Sequence, residues 1–378
     1  MAPTRQEICN STARKLAHAA AQGLRSLRAV IGFDGFVDEI IDVVDKRYGP
    51  GRYDPVRTIT AMGDKIRAAA GESSNYELVV KRRKLGGNGP IMADALAMLG
   101  LDVTYIGNLG YPDLHLVFRD FAARARVLSI AEPGHTDALE FEDGKIMLGK
   151  HESLHEVNWE NLVARVGLDE LRRTMGEAAL IGMVNWTMLP GMSRIWEQLL
   201  AEVFPGSPRR DRTIFIDLAD PEKRTPEDIW GALGLLGRFQ EHGEVILGLN
   251  LKEAMQVAAV LNLPSRSDPE AAIEEEAAAI RQALGLGGVV IHPRRAAAAA
   301  TEQGSARFEG PFIKQPQIST GAGDHFNAGF CLGRALGLSL EENLCAGTAA
   351  SGYYVRTAQS PTVGQLAEFI SELPPPES

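Results

Sequence analysis

Four short apolar runs recur through the middle of the chain with amphipathic stretches between them: AALIGMV (178 to 184), TIFIDL (213 to 218), EVILGL (244 to 249) and GGVVI (287 to 291). Runs this short and this uniformly apolar suit strands buried on both faces, and spacings of roughly 35 residues leave room for a crossover helix between each pair. The pattern predicts βαβ units and a mostly parallel sheet with helices on both faces. Each run ends in or leads to a polar residue: Asn185, Asp217, Asn250 and His292. Ligands of open α/β sheets bind outside the carboxyl ends of the strands, so these four positions are nominated for a crevice. The competing reading makes each a satisfied polar residue of the core.

Other segments fill in the frame. Residues 11 to 28 read as helical and RAVIGF (28 to 33) as a strand. After the polar stretch YGPGRYDP come an amphipathic segment, VRTITAMGDKIRAAAG, and a strand, YELVVK. GGNGPIMADALAMLGL reads as a glycine turn into a helix ending near Gly100, and DVTYIGNLG as the next strand. TDALEFEDGKIML alternates in polarity around Asp143-Gly144, a hairpin signal because both turn positions tolerate positive φ. This hairpin interrupts a helix-and-strand chain and is a candidate flap. No internal repeat or low-complexity linker divides residues 1–378, so one main domain carrying insertions is expected.

Composition narrows the function classes. With 45% hydrophobic residues the chain can bury a large core, while a net charge of -10 and a pI near 5.4 argue against a nucleic-acid partner. The dense basic run Lys81-Arg82-Arg83-Lys84 has three readings: a solvated strand or loop edge, a nucleic-acid patch, or a positive field beside an anionic substrate. Cys9, Cys331 and Cys345 form no CxxC pair, which suggests neither a disulfide framework nor a structural zinc and favours a reducing compartment. No stretch has the form of a signal peptide or a bilayer span, so a cytoplasmic protein without a membrane partner is expected.

Three local patterns carry chemistry. In TGAGD (320 to 324) small residues lead into a helix, where unsatisfied amides and the helix dipole can meet an anion. Asp324 then either takes a proton from an attacking hydroxyl or merely complements the dipole. Asn250-Leu-Lys-Glu253 is a capping-box pattern that could also hold a water of a magnesium ion. Upstream, GFDGFVDEI places Asp34 and Asp38 past a strand end, and Gly86-Gly87-Asn88 offers close backbone with a bidentate amide. Those residues could read a polyol, and the carboxylates could equally bind a metal or be solvated turn residues.

In this order the motifs resemble the PfkB, or ribokinase-like, carbohydrate kinase family, from about Arg28 to about Val363. LGGNGPIMADALAMLGLDVTYIGNLGYPD (85 to 113) is similar to its N-terminal signature, STGAGDHFNAGF to its C-terminal one, and Asn250 with Glu253 to its N-x-x-E. The resemblance implies a doubly wound, mostly parallel α/β domain with a small β-sheet lid, here inserted at approximately 39–85 and 127–150. It implies an ATP-dependent kinase acting on a monosaccharide hydroxyl, with Mg2+ and a candidate monovalent cation (K+), and dimerisation through the lid. Asp324 would be the general base, with the amides of Gly321, Ala322 and Gly323 as anion hole. Asp38, Gly87 and Asn88, with Asp34 as a second carboxylate, would hold the sugar. Asn250, Thr320 and Arg294 would contact the nucleotide, and Glu253 with Asn250 a magnesium ion through water.

The chain departs from the family at three places. Ile318-Ser319 stands where the family has Asp-Thr, which bears on cation and nucleotide contacts. VVIHPRRAAAAAT replaces the usual Thr-x-Gly phosphate loop, and a helix-like insertion separates Asp38 from Gly86. A sugar-phosphate kinase of phosphofructokinase type, a nucleoside kinase and a ligand-binding pseudokinase remain alternatives.

Overall fold

A computed structural model describes residues 3–206 and 211–377. Its strands are β1 (Arg28–Phe33), β2 (Phe36–Gly49), β3 (Arg52–Pro55), β4 (Leu78–Gly86), β5 (Asp102–Gly107), β6 (Arg126–Ser129), β7 (Gly134–Phe141) and β8 (Gly144–Lys150). They continue with β9 (Leu180–Val184), β10 (Thr213–Asp217), β11 (Glu244–Leu249), β12 (Gly288–Ile291), β13 (Ala296–Thr301) and β14 (Gly304–Glu309). Nine of them form the main sheet in the order β14-β13-β12-β11-β10-β9-β1-β5-β6. Pairing is parallel from β12 to β6, and β13 and β14 add an antiparallel edge.

The four apolar runs are β9 to β12, adjacent and in register, for example with Ile214 opposite both Ile181 and Val245. Period-two alternation divides their side chains between two cores. Ile181, Met183, Ile214 and Ile216 join the cluster on one face, whereas Leu180, Val184 and Phe215 join the cluster on the other. Helices therefore cover both faces, as expected. From β1 the chain builds outward through β5 and β6, then returns to lay β9 against the opposite side of β1. This reversal opens a crevice beyond the carboxyl ends of β1 and β9. Asp34 and Asn185 immediately follow those two ends.

A second sheet has the order β3-β2-β7-β8, with β4 also paired to β2. The Asp143-Gly144 hairpin joins β7 to β8, and β7 runs parallel to β2. The helix-like insertion is a helix, Ile59–Ala68, whose Met62 packs with Ile41, Val43 and Leu139 of this sheet and with Val56 just beyond β3. The basic run lies inside β4, which continues to Gly86. Lys81 pairs with Asp42 at 3.1 Å and Arg83 with Glu39 at 2.5 Å, so residues 81–83 are a solvated strand, whereas Lys84 is half-buried beside Asp38.

The first helix is Arg5–Gln22 and not residues 11 to 28. A capping box between Thr4 and Glu7 starts it, and Gly23 at φ 77° ends it. All three cysteines are free and buried. Among the described residues, no helix is long and apolar enough to cross a membrane.

Candidate active site

Asp34 enters the crevice directly from β1 and is fully buried. Its Oδ2 accepts from the Asn88 amide at 3.0 Å and from Asn185 Nδ2 at 2.7 Å, and its Oδ1 accepts from the Gly89 amide at 2.8 Å. It is thus the anion at the start of helix Asn88–Met98, where free amides and the dipole favour negative charge. Burial raises its pKa to about 6 against the pull of these three donors. The glycines follow from the same packing: a Cβ on Gly87 would lie 2.8 Å from Asp34 Oδ2, and one on Gly89 would lie 2.6 Å from Oδ1. Asn185 reaches Asp34 from a left-handed backbone at φ 61°, a conformation asparagine tolerates.

Asp38 sits on β2 directly opposite Lys84 of β4. It is 6% exposed, and Lys84 Nζ stands 3.9 Å from its Oδ2. Burial raises the Asp38 pKa, opposed by Lys84 and a hydrogen bond from Thr136, and burial lowers that of Lys84. The Asp38 carboxyl lies so close over Gly86 that a Cβ there would meet its Cγ at 2.5 Å.

Asp324 lies in the first turn of helix Ala322–Ala335 and is 6% exposed. Before it, the Ala322 amide donates to the Ser319 carbonyl at 3.2 Å, closing a turn whose third residue, Gly321, has φ 93° and ψ 0°. Those angles are the type II values that favour glycine. The Ala322 amide is therefore committed within the turn. Gly321, Gly323 and Asp324 keep amides without a protein acceptor among the described residues. Across the crevice Asn88 Nδ2 donates to Asp324 Oδ1 at 3.0 Å. Burial, then the Asp217 charge, drive the Asp324 pKa well above the usual carboxylate range, and the Asn88 bond opposes them.

Asp217 and Glu253 complete the acidic floor. Asp217 accepts from Asn327 Nδ2 at 2.8 Å and the Ala219 amide at 2.9 Å, and burial raises its pKa to about 6. Glu253 makes a full capping box with Asn250: its Oε2 accepts from the Asn250 amide at 2.8 Å, and its Oε1 from the Asp220 amide at 2.9 Å. Burial, followed by the Asp217 charge, lifts it to about 8.

On the far side of the TGAGD turn a cavity of about 530 Å³ opens, lined by Asn250, His292, Arg294, Lys314, Gly323 and Phe326 among others. That volume is within the usual range for small-molecule sites. His292 stacks on Phe326 with centroids 4.5 Å apart, and burial holds it neutral by lowering its pKa to about 4. Thr320 is exposed, and its carbonyl accepts from the Tyr354 hydroxyl at 3.1 Å.

A family model described as prokaryotic ketohexokinase matches residues 6–373. The chain belongs to the prokaryotic ketohexokinase family. The ketohexokinase of Haloferax volcanii is 29% identical over 346 residues, which span 91% of each chain. A carbohydrate kinase from Agrobacterium tumefaciens superposes with a TM-score of 0.62 at 17% identity, covering 92% of this chain and 98% of that one. Arabidopsis thaliana ribokinase, complexed with ribose and ATP, gives a TM-score of 0.62 at 16% identity, covering 92% and 99%. At such identities the solved structures speak for the fold, which is that of the ribokinase-like kinases, as the motifs implied. The protein is a carbohydrate kinase that transfers phosphate to a sugar hydroxyl.

In this ketohexokinase-family site the structure brings Asp34, Gly87, Asn88 and Asp324 together through direct contacts, and Asp38 joins them over Gly86. Asn250, Arg294 and Gly323 line the neighbouring cavity with Lys314, which the sequence reading did not single out. It also missed His325 and Tyr354, which brace the turn from behind. Tyr354, and the Ser360 that holds the other side of the His325 ring, lie some 30 residues or more beyond the motif, so no local pattern announces the arrangement.

Proposed function

We propose that this kinase transfers the γ-phosphoryl group of ATP to a hydroxyl of a ketohexose, with Asp324 as general base. The contact that carries the reading is the Asn88 bond to Asp324, which joins the glycine turn of the sugar side to the anion-binding turn of the phosphate side. The family match and the Haloferax volcanii ketohexokinase support the substrate class.

A buried carboxylate with a raised pKa is a stronger base than a solvated one, and it loses its proton more readily once a positive charge is near. Asn88 Nδ2 holds one oxygen of Asp324, leaving the other to accept the proton of the attacking hydroxyl. The Gly321 and Gly323 amides, which have no protein acceptor among the described residues, stabilise charge developing on the transferred group, while the Ala322 amide stays committed to Ser319 and holds the turn. Asp38, with Gly87 and Asn88, orients the sugar, while Asp34 fixes the helix start from which Asn88 projects. Asn250, Thr320 and Arg294 attend the nucleotide.

The acidic floor fits a divalent cation. After burial, the Asp217 charge raises the pKa of both Glu253 and Asp324, and Glu253 adds to that of Asp324, the signature of buried negative charge lacking a counter-ion. Among the described residues, no three His, Cys, Asp or Glu side chains form a direct metal cage, which suits Mg2+ held by phosphates and by Asn250 and Glu253 through water. Bound there, Mg2+ neutralises phosphate charge. A monovalent cation such as K+ would act as an activator beside the turn.

Residues 39–85 and 127–150 carry most of the second sheet and act as the lid. Exposed Tyr48, Leu78, Met147 and Leu148 on it suit pairing of two copies, which sedimentation would register.

The test is ATP turnover with Mg2+ across ketohexoses, aldohexoses, sugar phosphates and nucleosides, in K+ and in Na+, with the product identified by NMR. Ketohexose-stimulated ADP release that disappears in Asp324→Asn is expected. Turnover confined to another substrate class, or an active Asp324→Asn enzyme, would overturn the reading.

A further inference from the structure

The residue after the catalytic aspartate is a histidine whose two ring nitrogens are both engaged. His325 Nδ1 lies 2.7 Å from the Gly321 carbonyl and Nε2 lies 2.8 Å from the Ser360 hydroxyl. A carbonyl can only accept, so Nδ1 carries the proton, and the neutral ring must then accept at Nε2 from Ser360. Burial lowers the His325 pKa to about 4, so this tautomer persists across the neutral range. The ring also stacks on Tyr354 with centroids 3.6 Å apart and planes inclined by 13°. The hydroxyl of that tyrosine donates to the Thr320 carbonyl at 3.1 Å.

Two consecutive carbonyls, those of Thr320 and Gly321, are thus pulled to the same side of the turn. In a planar trans peptide the carbonyl of one residue and the N–H of the next point in opposite directions. Fixing the Thr320 carbonyl therefore turns the Gly321 N–H away from Tyr354. Fixing the Gly321 carbonyl sets the next peptide plane, from which Ala322 closes the turn and the helix begins. The Gly321 carbonyl is held twice, by His325 Nδ1 and by the His325 amide at 3.1 Å. Glycine at φ 93° has little intrinsic preference for this geometry. The clamp supplies what the glycines lack.

We propose that His325, braced by Tyr354 and Ser360, is a positioning residue for phosphoryl transfer that fixes the peptide planes of the turn and so aims its amide donors. This rests on the reading of the turn as an anion hole. Amides aimed only at charge that develops during transfer affect kcat more than ground-state binding.

The experiment compares His325→Phe, which keeps a ring against Tyr354 and removes both hydrogen bonds, with His325→Asn, whose amide can still donate to the Gly321 carbonyl. Tyr354→Phe removes the second anchor alone. Each is assayed for kcat, for both KM values, for thermal midpoint, and for affinity of ADP with fluoroaluminate, a mimic of the transferring group, against affinity for ATP. In His325→Phe, kcat and fluoroaluminate affinity should fall about 10- to 100-fold while both KM values and ATP affinity stay within about twofold. His325→Asn should recover most of the loss, and Tyr354→Phe should fall between.

Wild-type kcat in His325→Phe, matched losses in KM and kcat, or no recovery in His325→Asn overturns the positioning role and leaves the kinase reading intact. If wild-type protein shows no ketohexose-stimulated turnover, the kinase reading fails and the proposal falls with it.

Discussion

Asn88 Nδ2 donates to Asp324 Oδ1 across 3.0 Å, joining residues 236 positions apart in sequence. Each stands at the start of a helix, Asn88–Met98 and Ala322–Ala335. Two helix N-termini therefore converge on one crevice, and each brings a positive dipole end together with a buried carboxylate, Asp34 for one and Asp324 for the other. The first carboxylate is saturated by its helix and by Asn185, so it organises. The second has a single side-chain donor, so it remains available to react.

Asp324→Asn preserves the shape and the oxygen that Asn88 addresses while removing the proposed base. Loss of general-base catalysis is expected to lower kcat by about 10²- to 10⁴-fold. The variant should fold at least as well as the parent near pH 7, because burial disfavours the native carboxylate in its charged form. Steady-state kinetics beside a thermal melt separate the two effects. A destabilised, poorly folded Asp324→Asn protein would contradict the assignment of buried charge.

Asn88→Ala should move the acidic limb of the rate profile. Asp324 must be ionised to accept a proton, so kcat rises with pH through its pKa. The Asn88 bond lowers that pKa against the larger effect of burial. Its removal shifts the limb to higher pH, and part of the activity lost at neutral pH should return as the pH is raised. A uniform loss with an unmoved limb would show that Asn88 acts only on the sugar.

The frame was legible because its signals are local. The runs now seen as β9 to β12 are apolar in every position that matters, and Asp143-Gly144 announces its own hairpin. Both readings of Asn250-x-x-Glu253 rested on local spacing, and the cap is what the side chains make. Where pairing is long-range the sequence was silent. β4 carries a basic run through a sheet because carboxylates on β2, at Asp38, Glu39 and Asp42, face it from 39 to 46 residues away. The first helix begins earlier than its apolar stripe suggests, because the Thr4–Glu7 box lies ahead of that stripe.

The acidic floor makes stability depend on pH in an unusual direction. Asp34, Asp217 and Glu253 have folded pKa values of about 6, about 6 and about 8, all above their ordinary values. The folded state then binds more protons than the unfolded state between those limits, so stability falls as pH rises. For Glu253 the window runs from 4.5 to about 8. Thermal midpoints of the metal-free protein should decline across that range, and Glu253→Gln should flatten the slope. The slope is the informative quantity, since the variant also loses one backbone acceptor of the cap. An unchanged slope would mean that Glu253 stays ionised throughout.

Gly86→Ala tests whether Asp38 reads the sugar. The new methyl would sit 2.5 Å from Asp38 Cγ and 2.6 Å from Oδ2, well inside contact distance, so the carboxyl must swing away. Gly86 lacks a positive φ, so alanine suits its backbone and the effect is one of space alone. Asp38 cannot move freely, because it is 6% exposed and Lys84 faces it across the strands. A displaced carboxylate loses its hydrogen bonds to the substrate, worth about 1.5 to 3 kcal/mol for a charged acceptor. The KM for a ketohexose should therefore rise about 10- to 100-fold, while the KM for ATP, whose proposed site lies beyond the TGAGD turn, should stay within about twofold. Asp38→Ala should reproduce the pattern without the added methyl. A rise in the ATP value, or an unchanged sugar value in both variants, would move sugar recognition away from Asp38 and leave Lys84 as a partner without a purpose in the crevice.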